Sequence, residues 1–271
     1  MKKTLFVAFT FLLTNTVYGF ELRSRVIEGG LTYGKLDSNE QLYLNNKEIK
    51  STKSGFFFFG LPQDTTSLKL TLIKNGKKKD LNIPVQKQKW QEEYITGLQT
   101  DKVNPSTKNQ ARIQKENQLL KKARENFNTQ YFPFCFERPV KNFKRISSPY
   151  GARRILNNIK KAGHGGVDYA APVGTPVYAP AKGIVALTHQ DMFLSGKTLL
   201  INHGFGLFSS YSHLNQINVK EGDTINTGDL IAEIGSTGRS TGPHLHYTIT
   251  WNGVRLNPEQ LISDFLCKNK K

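Results

Sequence analysis

Three asparagine dipeptides, Asn45-Asn46, Asn75-Gly76 and Asn252-Gly253, each interrupt a pair of short runs of apolar or alternating residues. A two-residue hairpin turn needs positive φ at both central positions, and asparagine and glycine tolerate this best. The chain is therefore committed to antiparallel hairpins at both of its ends. Before Asn75, Leu68, Leu70 and Leu72 alternate with Lys69 and Thr71, which puts the leucines on one face; Leu81, Ile83 and Val85 return beyond the turn. Phe56 to Phe59 forms a short aromatic run closed by Gly60 and Pro62. These signals predict a small, sandwich-like antiparallel β domain over residues 20–92. From Tyr131 the same texture resumes. Val177 to Pro180, Gly183 to Leu187, Thr198 to Ile201, Leu207 to Tyr211, Leu230 to Ile234 and the hairpin from His244 to Leu256 are short, and glycine or proline separates them. They predict a folded antiparallel sheet over 131–271, so the fold class is mainly β.

Between these regions the pattern changes. Asn104-Pro105 opens a stretch without glycine, in which Ile113, Leu120, Ala123 and Phe127 recur at helical spacing. A helix is expected from about 106 to 127, within a linker over 93–130. Its simplest role is a spacer; a lever or a lid over the next domain's groove is the sharper one.

A length of 271 residues favours two folded units. Residues 1–19 read as a secretory signal peptide: Met1-Lys2-Lys3, an apolar stretch from Leu5 to Leu13, and the small-residue exit Val17-Tyr18-Gly19. The apolar stretch falls short of the roughly 20 residues that span a bilayer, so cleavage near Gly19 is expected rather than a transmembrane anchor. The expected compartment is periplasmic or extracellular. Only Cys135 and Cys267 occur, and they bracket the histidine-bearing segment. In an exported chain they could form a disulfide clasp, or remain two separate buried thiols. The formal charge is +17, or +15 without Lys2 and Lys3, and it implies a polyanionic neighbour. Export argues against nucleic acid; an anionic cell-wall polymer or lipid headgroups would exploit the same field, and charge alone does not choose between them. Neither a recognition-helix motif nor an RNA-binding aromatic motif is visible.

No histidine precedes His164. His164 is followed four residues later by Asp168; His213 follows Tyr211-Ser212; His244-Leu245-His246 closes the set. Neutral imidazole and carboxylate hold borderline-soft divalent metals, and a catalytic site takes three protein ligands and keeps one position open. Five candidates exceed that need, which leaves two for proton chemistry. Side chains two apart on a strand share a face, so His244 and His246 point one way and Leu245 into packing. The paired Gly165-Gly166 makes a regular helix unfavourable between His164 and Asp168, and a bent loop is expected. His189 and His203 are read as ordinary residues, the latter at a turn that could wall the substrate.

Several blocks, in order, resemble one family: Ser148-Pro149-Tyr150-Gly151 before Arg153-Arg154, His164 to Pro172, Gly174 to Val177, Tyr211 to Leu214, Gly222-Asp223-Thr224 and Gly235 to His246. They look like the lysostaphin-like (LytM-type) zinc metallopeptidases of bacterial cell walls. The resemblance covers about 131 to 262. It implies one Zn2+ held by His164, Asp168 and His246, with His213 and His244 flanking the reacting water and carbonyl. It also implies that the chain is a peptidoglycan hydrolase cleaving stem peptides or cross-links. The groove would run between loops at Asp191 to Gly196 and Arg239 to Thr241, with Arg239 near a stem carboxylate. A fragment from about 131 to 271 would keep activity. Two other readings are weighed: a catalytically silent wall-binding or activator protein of the same family, and a basic nucleic-acid binder. All three expected ligands are present, which disfavours the silent reading.

Overall fold

The computed structural model describes residues 20–125, 131 and 135–264. The expected signal peptide, Phe127 and Cys267 lie outside the described residues, and with Cys267 the expected clasp to Cys135. Among the described residues no helix is long and apolar enough to cross a membrane.

The chain is mainly β, as its turns predict. Two small antiparallel sheets form the N-terminal region. One orders Glu21–Leu22, Leu31–Lys35 and Phe56–Gly60; the other orders Lys47–Ile49, Glu40–Leu44, Ser67–Lys74 and Lys77–Pro84. All three asparagine turns have the expected left-handed backbone: φ is 48° and 64° at Asn45 and Asn46, 50° and 74° at Asn75 and Gly76, and 46° and 82° at Asn252 and Gly253. Leu68, Leu70 and Leu72 are buried on one face, as their alternation requires. They share a continuous apolar core with Phe57, Phe59 and, from the C-terminal half, Leu256 and Leu261.

Residues beyond 144 build a ten-stranded antiparallel sheet, whose central path runs Gly183–Met192, Gly196–Gly204, Leu207–Ile217, His244–Trp251, Val167–Ala170, Arg145–Ser148. A third small sheet joins the two halves. There Glu92–Ile95, from the N-terminal region, pairs in parallel with Arg153–Leu156, and Arg154 lies opposite Glu93. Trp90 seals this seam: its indole packs edge-on against Tyr150, with ring centroids 5.7 Å apart, and covers Gly151 so closely that any Cβ there would collide with it.

The helix spans Thr107–Glu125, with Ser106 accepting the Asn109 N–H at 3.4 Å as its N-cap, so Pro105 precedes the cap instead of entering the first turn. Its contact with the C-terminal sheet is polar at the centre. Glu116 is its buried residue, and the Glu116 carboxylate accepts the Phe193 N–H at 2.9 and 3.1 Å while pairing with Arg112 at 2.7 Å. Arg112 in turn pairs with Asp191 at 3.0 Å. The helix is thereby fastened to the Asp191–Phe193 turn, while Ile113 and Leu120 are only half-buried.

His203 does not wall a substrate. It is fully buried, with Nδ1 donating to the Lys182 carbonyl at 2.9 Å, Nε2 against Ser209 Oγ at 2.8 Å and Phe136 edge-on to its ring. Burial pushes its pKa down from the usual 6.5 to about 4. The unfolded chain therefore binds a proton at His203 that the folded chain refuses, so stability falls as pH drops from about 6.5 to about 4. Urea unfolding of the metal-free protein should show stability lost across that window, of which His203 accounts for on the order of 3 kcal/mol. A flat or rising stability curve would contradict the buried neutral imidazole.

Candidate metal centre and its walls

The strand register explains how distant residues meet. Asp168 lies directly opposite His246 on one neighbouring strand and opposite Ser148 on the other, and His246 lies opposite Ser212. Ser148, Asp168, His246 and Ser212 thus form one row across four strands, all facing the same side. Leu245 and Tyr169, one residue along, are fully buried on the other side. His244 shares the face of His246, as its spacing requires.

His164 reaches this row from the Gly163–Gly166 loop. The loop is clamped by reciprocal backbone hydrogen bonds, His164 N–H to the Ala152 carbonyl and Gly151 N–H to the His164 carbonyl, both 2.8 Å. Gly166 passes so close to the Tyr247 carbonyl that a Cβ has no room. This close approach, more than backbone freedom, is what demands glycine there.

His213 arrives by a different device. Tyr211 and Tyr247 are paired across the strands and buried, so strict alternation would send His213 to that core face as well. Instead, His213 adopts φ 63°, a left-handed conformation uncommon for a residue with a side chain. The strand register slips just beyond it, between Leu214 and Gln216. The turn of the backbone swings the imidazole to the site face, where its ring centroid lies 4.7 Å from His244 and 6.1 Å from His246.

The histidine tautomers follow from their outward bonds. His164 Nδ1 meets the Pro149 carbonyl and Ser148 Oγ at 2.9 Å each. His246 Nε2 meets Thr248 Oγ1 at 3.0 Å; His213 Nδ1 donates to the Thr237 carbonyl at 2.7 Å; His244 Nδ1 donates to the Gly242 carbonyl at 2.8 Å. A carbonyl can only accept, so His164, His213 and His244 carry their protons on Nδ1 and turn Nε2 inward. His246 presents Nδ1 inward. Burial, opposed by Asp168, brings the His246 pKa down to about 4. Burial, with His244 and His246 nearby, brings His213 to about 3. Burial alone would raise Asp168, but the adjoining His246 and His164 imidazoles outweigh it and hold its carboxyl well below the usual range.

Three inward atoms then crowd together: His164 Nε2 and Asp168 Oδ1 are 3.1 Å apart, His246 Nδ1 and Asp168 Oδ1 2.7 Å, and the two nitrogens 3.0 Å. Ligand atoms of all three residues lie within 4.8 Å of one another. When His246 donates from Nε2 to Thr248 Oγ1, these are three lone pairs directed at a common point, an arrangement that repels itself unless a cation joins it. Two imidazoles and one carboxylate suit a borderline-soft divalent ion. His244 Nε2 stays farther off, 3.9 Å from Asp168 Oδ1.

The groove walls differ from the expected ones. The Asp191–Gly196 and Arg239 loops do not face each other across a cleft. They are joined, since Arg239 N–H donates to the Leu194 carbonyl at 2.8 Å and Lys197 N–H to Thr237 Oγ1 at 3.0 Å, with Gly196 and Gly238 in backbone contact. Glycine at both positions permits that approach, and the loops make one wall. Apart from these loops, Ser148 and Arg154 reach His164 and Asp168 from a second group of elements, in which Glu92–Ile95 pairs with Arg153–Leu156. The following residues cross between them: Leu98 exchanges hydrogen bonds with Asn157, Lys102 Nζ donates to the Phe193 carbonyl at 2.6 Å, and Arg239 donates to the Lys102 carbonyl at 3.2 Å.

Residues 162–258 match the family described as Peptidase family M23. That segment is an M23 domain. Peptidoglycan DD-endopeptidase ShyA of Vibrio cholerae is 37% identical over 151 residues, 51% of this chain and 35% of that protein. DD-carboxypeptidase/endopeptidase Mpg of Neisseria meningitidis serogroup B is 43% identical over 118 residues, 43% of this chain and 26% of that protein. The chain therefore spans about a third or less of the length of these curated relatives. A crystal structure from Pseudomonas aeruginosa, described as a peptidase M23, superposes with a TM-score of 0.69 at 26% identity and covers 89% of this chain and 97% of that one. That likeness extends beyond the M23 domain into the N-terminal region.

Sequence reading missed the polar support around the M23 residues. Ser148 and Arg154 stand in the first quoted block, but nothing in their spacing assigns them a task. Glu93 has no signal at all. Because Gly166 seats the His164–Asp168 loop under the Tyr247 carbonyl, Gly166→Ala should destabilise the protein by more than about 2 kcal/mol in denaturant melts. A neutral outcome would show that the loop can move.

Proposed function

We propose that this chain is a zinc-dependent endopeptidase that hydrolyses peptide bonds of peptidoglycan, in stem peptides or their cross-links. The reading rests most on one observation, the three inward lone pairs of His164, Asp168 and His246 meeting at one point. The match of residues 162–258 to the M23 family and the names of the curated relatives support the substrate class.

His164 Nε2, Asp168 Oδ1 and His246 Nδ1 would hold one zinc ion. When bound, zinc supplies Lewis acidity, which polarises a peptide carbonyl and makes water acidic enough to react near neutral pH. Arg154 holds the other carboxylate oxygen of Asp168 at 2.6 Å, so Oδ1 is left for the ion. His213 and His244 aim neutral Nε2 atoms at the space beside the ligands. They are placed to orient the water, carry its proton and hand one to the leaving amine, and in protonated form to stabilise the oxyanion. Fixing Nδ1 of each on a backbone carbonyl locks both rings in that orientation.

Arg239 brings a cation to the wall of the site, and it suits a carboxylate of a peptidoglycan stem. Among the described residues the Arg239 guanidinium meets the Lys102 carbonyl and no carboxylate, so it is placed to take a substrate carboxylate. The basic surface would hold the enzyme near an anionic wall. In this reading residues 1–19 direct export and are removed, and the mature chain works outside the cytoplasm.

Purified peptidoglycan incubated with the chain from residue 20 should release soluble fragments, lose that release on chelation and regain it with zinc. Asp168→Ala and His246→Ala should abolish both metal retention and digestion. His213→Ala and His244→Ala should retain the metal and lose about 100-fold or more in rate. Mass spectrometry of products from defined muropeptides identifies the bond. Chelator-resistant digestion, or full activity in His246→Ala, would rule the proposal out.

A further inference from the structure

The N-terminal region reaches the ligands through one side chain. Glu93 projects from the Glu92–Ile95 strand, across from Arg154, and its Oε2 lies 2.6 Å from Ser148 Oγ and 3.4 Å from Arg154 Nε. Arg154 Nη2 donates to both Ser148 Oγ at 2.7 Å and Asp168 Oδ2 at 2.6 Å. Ser148 Oγ also meets His164 Nδ1 at 2.9 Å. One hydroxyl therefore has a carboxylate, a guanidinium and an imidazole around it.

Proton counting orders this cluster. A serine hydroxyl owns a single proton, and a carboxylate oxygen can only accept. Glu93 takes that proton, so Ser148 Oγ is left as an acceptor toward Arg154 and His164. His164 then keeps its own proton on Nδ1, as the Pro149 carbonyl also requires, and turns the Nε2 lone pair toward the ion; without Glu93 the Ser148 proton is free to compete for Nδ1. Through Arg154, Glu93 also offsets the positive charge beside Asp168 and sets the guanidinium that occupies Oδ2. The Glu93 and Arg154 side chains are 17% and 16% exposed, so water is a weak competitor for these bonds.

We infer that Glu93 is a positioning residue for the metal centre, through which the N-terminal region, together with the Pro149 carbonyl, holds the tautomer of His164 and sets the orientation of Asp168. The inference rests on the zinc reading above. Outer partners of metal ligands typically account for 10- to 100-fold in metal affinity. It follows that the N-terminal region is part of the working site, and that a fragment beginning at 131 lacks a component of it. Glu92, the preceding residue on the same strand, is exposed and makes its side-chain contact with Tyr94 at 3.4 Å, so it is the natural control.

The test is zinc affinity, measured by equilibrium competition with a chromophoric chelator on the chain from residue 20. Glu93→Ala should weaken zinc binding about 10-fold or more, Glu93→Gln by less, and Glu92→Gln not at all. Ser148→Ala should weaken it similarly, and the double variant Glu93→Ala/Ser148→Ala should be no weaker than the worse single one, because both act through the same hydroxyl. Nitrogen-15 shifts of the metal-free protein should show His164 as the Nδ1–H tautomer, and as a mixture in Glu93→Ala. A purely structural role would leave that tautomer unchanged. Parent-like zinc affinity in both Glu93 variants overturns the inference and leaves the proposed function standing. A parent protein that binds no zinc overturns both.

Discussion

Asp168 is where the structure is most heavily committed. Its carboxylate is buried, a placement that opposes ionisation, yet it is held charged between His164, His246 and Arg154. An uncompensated charge in such a place would be strongly destabilising. The oxygens have separate tasks. Oδ2 is held by Arg154, and Oδ1 is shared by two imidazoles whose own protons point elsewhere. That asymmetry suits the cluster to a cation, and the rest of the M23 domain can be understood as the means of maintaining it.

The sheet does most of that work. Pairing Asp168 opposite His246, and Ser148 opposite Asp168, fixes ligand and support by backbone hydrogen bonds alone, with tyrosines and leucines packed behind. A register slip by one residue would turn every member of the row into the core. Two positions depart from the regular sheet, and both serve the site. Gly166 lets the His164 loop lie against a backbone carbonyl, and the left-handed His213 overrides the alternation that would otherwise bury its ring.

The N-terminal region is continuous with this arrangement. It shares the apolar core, adds the Glu92–Ile95 strand beside Arg153–Leu156, and packs Trp90 against Gly151. The segment after that strand crosses from the Asn157 side to Phe193 and Arg239, and the helix then anchors through buried Glu116. A helix whose deepest residue is a glutamate is held by directional bonds to a turn, in place of an apolar stripe. That explains why its weak hydrophobic periodicity in the sequence revealed its existence and little of its docking.

Local rules were enough for much of this protein. Asparagine and glycine turns specify backbone torsion directly, alternating leucines specify a face, and the two-residue spacing of His244 and His246 specifies a shared direction; each is a property of neighbours along the chain. The three histidine blocks also named the candidate ligands before any fold was known. Only tertiary structure decided that the Asp191–Gly196 and Arg239 loops make one wall, that His203 is a core residue, that His213 leaves its expected face, and that Glu93 reaches Ser148. Each of those depends on which strands become neighbours, and pairing between segments far apart in sequence is set by the packing of the whole chain, which no local pattern encodes.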